Sequence, residues 1–198
     1  MKKNLPSANP VKQLNSFLAI YDSEIRSLAR RALVTRRKRL PNAIEMVYDN
    51  CHALVIGFLP NLRASDAVFS IVLYPRYVTL FFLQGAGLPD PHRRLEGRAK
   101  VVRRVRLQTA ETLDDPEIVA LMNTALDRAR VPFDPKQRYQ LVIKSVSAKQ
   151  RPAARRISRM PSAPSGGFRS HHFIPVVHVH TEHAHGRRHN RRPGHQSQ

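Results

Sequence analysis

The chain reads as an α+β protein, with an antiparallel β-sheet of about five to six strands packed against helices and a disordered C-terminal tail. Three observations predict this. Short runs rich in β-branched and aromatic residues cluster in the middle of the chain, with turn-like residues between them. Amphipathic stretches with helical spacing stand before and after that cluster. Beyond Pro152 the apolar residues nearly vanish, and Arg, His, Pro, Ser and Gly take over.

The first helical stretch follows from Val11, Leu14, Leu18, Tyr21, Ile25, Leu28 and Ala32, which recur at three- and four-residue steps. Asp22-Ser23-Glu24 offers an alternative within it, the cap of a second helix that restarts there. Either way the stretch ends in "RRKRLP", where cations suit the negative end of a helix dipole and Pro41 blocks continuation. That account of the basic cluster is preferred to an anion site.

From Ile44 the period changes. "IEMVYD", "ALVIGFL", "AVFSIVLY" and "YVTLFFLQ" read as strands, and Pro75-Arg76 is a link short enough for a hairpin. In "KVVRRVRLQ" Arg103 interrupts an otherwise apolar face formed with Val101, Val105 and Leu107, which predicts an edge strand or a wet face. "TLDDPEIVALMNTALDRARVP" predicts a helix with Asp115 as N-cap, Pro116 at its first position and Pro132 as its stop. "YQLVIKSV" reads as a last strand. The expected organisation is a flexible N-terminus over 1–10, one domain over 11–152 and an Arg/His-rich tail over 153–198.

Charge is distributed unevenly. The 198 residues carry 34 Lys and Arg against 14 Asp and Glu, a net +20. Residues 1–150 account for +12 of this, and the last 48 residues for +8. Such a field attracts polyanions, so RNA or DNA is the candidate partner. Cys51 is the only cysteine, which excludes an internal disulfide and fits a reducing compartment. The basic start lacks an apolar signal core, and no stretch approaches ~18 uninterrupted apolar residues, so no membrane partner is expected. The expected location is cytoplasmic.

Several short blocks occur in an order that carries a resemblance: "VYDN" at 47–50, "ALVIGF" at 53–58, "LYPRYVTLFFLQGAGLPDP" at 73–91, "LEG" at 95–97 and "IKSVSAKQRP" at 143–152. Over about residues 11–152 the chain resembles the YdhG-like domain family. The resemblance implies a compact frataxin-like α+β sandwich. It also implies an accessory, non-enzymatic binding or metal-handling role, since some members act as iron chaperones.

Four candidate sites stand out. Gly85-Ala86-Gly87 is followed by Pro89 and Pro91, which lack N–H donors, and then by a strand. It is therefore no phosphate-cradling P-loop but a chain reversal, with glycines permitting positive φ. Arg93, Arg94, Arg98 and Lys100 on its rim are the candidate anion-binding residues, weighed against ordinary solvated charge.

Cys51-His52 suggests a nucleophile and base; on an extended strand the two would point to opposite faces, an argument that weakens if the pair lies in a turn, and no orienting Asp or Asn can be assigned to His52. No catalytic residue is proposed. Asp114, Asp115 and Glu117 form the densest acidic group, already explained by helix capping.

In the tail, His178, His180, His183 and His185 are the candidate metal ligands, suited to loose Zn coordination, with Fe the metal the resemblance implies. A solubilising basic tail that binds metal only incidentally is the preferred alternative. A nucleic-acid role would run through loop and tail cations. No stacking platform is read, the tail having only Phe168 and Phe173 as aromatics.

Overall fold

The computed structural model describes residues 9–50 and 52–145. The tail, with His178, His180, His183 and His185, lies outside the described residues, as do the first eight residues and Cys51. Two helices come first, α1 (Pro10–Ala19) and α2 (Ser23–Arg39). The chain breaks between them, so of the two readings the restart at Asp22 holds. Asn9 caps α1 by accepting from the N–H groups of Val11 and Lys12, and Pro10 occupies the first helical position. Asp22 sits at the N-cap of α2 without a side-chain capping bond.

Six strands follow: β1 (Ile44–Asp49), β2 (Leu54–Leu59), β3 (Phe69–Tyr74), β4 (Tyr77–Phe82), β5 (Arg103–Leu107) and β6 (Gln140–Ser145). Helix α3 (Pro116–Asp127) stands between β5 and β6, and the Asp115 carboxylate accepts from the Glu117 N–H at its start. The sheet order is β5-β4-β3-β2-β1-β6. All neighbours are antiparallel except β6, which runs parallel to β1. The sheet is therefore mixed rather than wholly antiparallel. The reason lies in the connection. Helix α3 stays beside the 83–102 loop, tied to Arg94 at its start and through Arg128 to the Gly87 carbonyl at its end. Residues 128–139 carry the chain on to β6, where Asp134, Gln137 and Tyr139 bond to Asn42 and Glu45 beside β1.

Strand alternation divides the sheet into two faces. Val47, Ile56, Ile71, Leu80 and Val105 share one register row, and Phe58, Phe69 and Phe82 share the next. These residues pack with Leu18, Leu28, Leu33, Ile118 and Leu121 of the three helices in the main core. Each such fully buried Leu, Ile or Phe contributes about 1.5–3 kcal/mol. The opposite face carries Met46, Val55, Leu59, Val72 and Phe81 in smaller clusters that include no α-helical residue.

Two polar ties fix the helices to the sheet. Tyr21, at the α1–α2 corner, donates its hydroxyl to the Leu73 carbonyl (2.9 Å) and accepts from the Leu54 N–H (3.0 Å). Leu54 and Leu73 are register partners, so one phenol pins the corner to the end of β2 and β3. At the other end, Glu45 of β1 is buried. It receives both Arg37 donors (2.8 and 2.7 Å) and the Tyr139 hydroxyl (2.9 Å). The Glu45 hydrogen bond raises the Arg37 pKa, and burial followed by the nearby Glu45 charge raises that of Tyr139.

The loop over 83–102 joins the adjacent antiparallel strands β4 and β5, so it does reverse the chain. Its glycines act differently from the sequence expectation. Gly85 through Gly87 form a 3-10 turn, and positive φ occurs instead at Arg93 (53°) and Gly97 (109°). Gly85 is needed for space: a Cβ there would lie 2.7 Å from the Arg103 Cβ and 2.9 Å from that of Phe82.

Candidate nucleic-acid interface

The domain's many arginines meet different fates, and these separate structure from function. In the last turn of α2, Arg37 pairs with Glu45, and Arg39 reaches Asp114 at 2.6 Å. Arg36 is fully buried. Its guanidinium lies 5.0 Å from the Phe58 ring and 4.5 Å from the Phe69 ring, and its three nitrogens find no hydrogen-bond partner among the described residues. Burial first, then the Arg39 charge, pushes its pKa down to about 9, so it stays cationic at neutral pH. The "RRKR" run is thus more than a solvated dipole partner.

The loop cations also separate. Arg94 turns back onto α3, reaching Asp115 and Glu117 at 2.7 Å each. Asp90 accepts from the Arg94 and Leu95 N–H groups, and His92 lies 3.4 Å from Glu117. The pairing with Asp115 raises the Arg94 pKa. The Glu117 N–H and then Arg94 lower that of Asp115. This is a clamp holding the loop against the helix start. Arg93 occupies the positive-φ turn, while Arg98 and Lys100 are exposed farther along. His52 is exposed in a turn closed by its N–H donating to the Asn50 side chain.

A different set of cations converges at the far end of the β5 edge. The β3–β4 link is a two-residue turn, Pro75-Arg76, which makes Tyr74 and Tyr77 register partners. Their rings stack at 4.6 Å with planes 28° apart. On the next strand Arg106 pairs with Thr79, so it is a diagonal same-face neighbour of Tyr77. Its guanidinium lies 4.9 Å from the Tyr77 ring. Three planar groups therefore run across three strands, in the order Arg106, Tyr77, Tyr74. Burial raises the Tyr74 pKa, and the Tyr77 neighbour adds to this.

The row projects from the sheet face opposite the helices, and a groove of about 440 Å³ lies where these ends of β4 and β5 meet α2. Glu24, Ser27, Leu28 and Arg31 line its helical wall, at the three- and four-residue steps that share a helix face. Arg76, Tyr77, Arg106 and Gln108 line the other. Among the described residues, none of Arg31, Arg76 and Arg106 joins an ion pair within 4 Å. Glu111 does feel the field of Arg31. All three arginines are exposed, whereas Arg104 on the same strand faces Glu96 at 3.5 Å.

This groove was missed in the sequence. The signal was the "YPRY" hairpin and the later "RVRL", which β4–β5 pairing across the 83–102 loop brings side by side. Among the described residues no group of three or more His, Cys, Asp or Glu could hold a metal ion. No described helix is long and apolar enough to cross a membrane. Comparison with protein-family models, curated proteins and solved structures yields no match.

Proposed function

We propose that this chain is a non-enzymatic, YdhG-like accessory protein that binds nucleic acid through the cationic groove beside α2. The observation supporting this is the set of three exposed arginines, Arg31, Arg76 and Arg106, around one concavity, none of them in an ion pair within 4 Å among the described residues. Unneutralised guanidiniums in a groove raise the local concentration of anions and offer planar, multi-donor contacts to phosphate oxygens. The metal-handling role implied by the family resemblance has less support in the domain. Its densest acidic group, Asp114, Asp115 and Glu117, is occupied by Arg39 and Arg94.

The test is fluorescence anisotropy of a labelled oligonucleotide of about 20 residues, titrated with the full chain from about 50 to about 300 mM salt. Wild type and the variant Arg31→Gln/Arg76→Gln/Arg106→Gln carry the same tail, so the tail's contribution is common to both. The wild-type affinity should fall steeply with salt. The variant should bind at least about tenfold more weakly at low salt, and its log–log slope should be shallower by about 2, near 0.7 per lost phosphate contact on a single strand. Identical slopes and affinities would remove the groove from the interface, and absence of salt-dependent binding would end the proposal.

A further inference from the structure

We infer that Arg36 anchors a second, internal site, and that this site takes a small apolar carboxylate, a monocarboxylic acid with a hydrocarbon body. It is independent of the groove beside α2 and rests on the charges at one end of the sheet. Arg36, Arg37 and Arg39 share the last turn of α2. Arg37 is answered by Glu45, and Arg39 by Asp114. Both Glu45 oxygens are engaged, Oε1 and Oε2 by Arg37 and Oε2 by Tyr139 as well. Arg36 is left over, 0% exposed, with Nε, Nη1 and Nη2 all unbonded among the described residues. Its pKa falls only to about 9, through burial first and Arg39 second, so the charge persists at neutral pH. The rings of Phe58 and Phe69 offset part of the cost of a buried cation, but one negative charge is still wanted.

The surroundings choose the ligand's chemistry. A carboxylate matches the edge of a guanidinium with two oxygens and brings the single charge required. Phosphate would carry up to two charges into an apolar interior, at greater desolvation cost. The neighbouring groups are rings, and Phe82 adds an edge-on contact to Phe69 at 5.5 Å. A hydrocarbon body suits them.

The way in runs past residues 128–139, which form neither helix nor strand. Their start is tied by Arg128 to the Gly87 carbonyl, beside Gly85 and its close neighbours Phe82 and Arg103. Their end is tied by Asp134 and Gln137 to Asn42, and by Tyr139 to Glu45. Glu45, Phe58, Phe69, Phe82 and Arg103 form one register row, so the segment passes along the end of the core where Arg36 lies. Ala129 and Phe133 pack on that core and are only partly buried. A segment held by a few bonds, with no ladder of its own, opens locally more readily than the sheet beneath it.

The test is thermal unfolding of the full chain with sodium benzoate or sodium hexanoate, ionic strength being held with sodium chloride. Benzamide is the control that keeps the ring and loses the charge, and chloride alone is the control for charge. Wild type should gain about 4 °C at saturating carboxylate and less than about 1 °C with either control. Arg36→Met should start above wild type in chloride, because the uncompensated charge is gone, and should gain nothing from either carboxylate. Arg31→Gln/Arg76→Gln/Arg106→Gln should respond as wild type does, which separates this site from the groove. A second measurement leaves the wild-type chain intact: in 15N-labelled protein the Arg36 Nε–H signal should shift saturably with carboxylate and not with benzamide. Equal gains in wild type and Arg36→Met put the carboxylate elsewhere and overturn the inference. An Arg36 signal that neither carboxylate moves overturns it whatever Tm does.

Discussion

The two ends of the β5 edge carry similar arginine density and use it in opposite ways. At one end, the 83–102 loop folds Arg94 onto Asp115 and Glu117, and Arg104 faces Glu96. At the other, Arg31, Arg76 and Arg106 line a groove, and Arg106 alone lies over the Tyr77 ring. What separates them is the supply of carboxylates within reach. A guanidinium answered by two carboxylates is a fastener whose charge is spent internally. One left beside an aromatic ring in a concave wall is available to an incoming anion. Net charge, +20 for the chain, cannot make that distinction.

The comparison can be broken first at its most buried fastener. Glu45→Ala strips Arg37 and Tyr139 of their shared acceptor, and should lower stability by about 3 kcal/mol in urea denaturation. Arg37 is partly exposed, which keeps the effect at the low end of values for buried pairs. Oligonucleotide binding by the folded fraction should be unchanged. If this variant bound more weakly at equal fold content, paired arginines would belong to the interface after all.

Arg36→Met sharpens the contrast from the other side. Arg36 is neither a fastener nor exposed, so removing a buried, unpartnered cation should raise stability by about 1–2 kcal/mol, after the lost contacts to Phe58 and Phe69 are subtracted. A loss of stability would show that Arg36 has a partner in solution.

The smallest effect belongs to the loop clamp. Arg94→Ala should speed amide exchange over residues 88–98 and lower Tm slightly. Its pH dependence has a definite sign. The Asp115 pKa is lower in the fold than in the unfolded chain, so its stabilisation is complete above the ordinary carboxylate range. It fades as pH falls through the depressed value. The Tm gap between wild type and Arg94→Ala should therefore close as pH is lowered from 7 towards about 3. A gap that widens in acid contradicts the clamp.

How far the sequence could be read depended on whether a feature was local. All six strands were legible, because runs such as "ALVIGFL" and "YVTLFFLQ" combine β-branched and aromatic residues between turn signals. Helix α3 was legible to its cap, since Asp115 and Pro116 act within one turn. The direction of β6 was not, because it is set by the side from which residues 128–139 bring the chain to β1 and not by anything in "QLVIKS". The space requirement at Gly85 was hidden for the same reason, its neighbour Arg103 being 18 residues away on β5. The candidate site was the least legible part. Arg93, Arg94, Arg98 and Lys100 attracted attention by adjacency in sequence, whereas Tyr77 and Arg106 become neighbours only through strand register.

The claim that pairing decides an arginine's role is tested most directly by phenylglyoxal modification, read arginine by arginine by mass spectrometry with and without a single-stranded oligonucleotide. Arg31, Arg76 and Arg106 should react readily in the free protein and be protected by the oligonucleotide. Arg36, Arg37 and Arg94 should react slowly in both states. Fast reaction and equal protection at Arg37 and Arg94, or unprotected Arg76 and Arg106 in the bound protein, would contradict it.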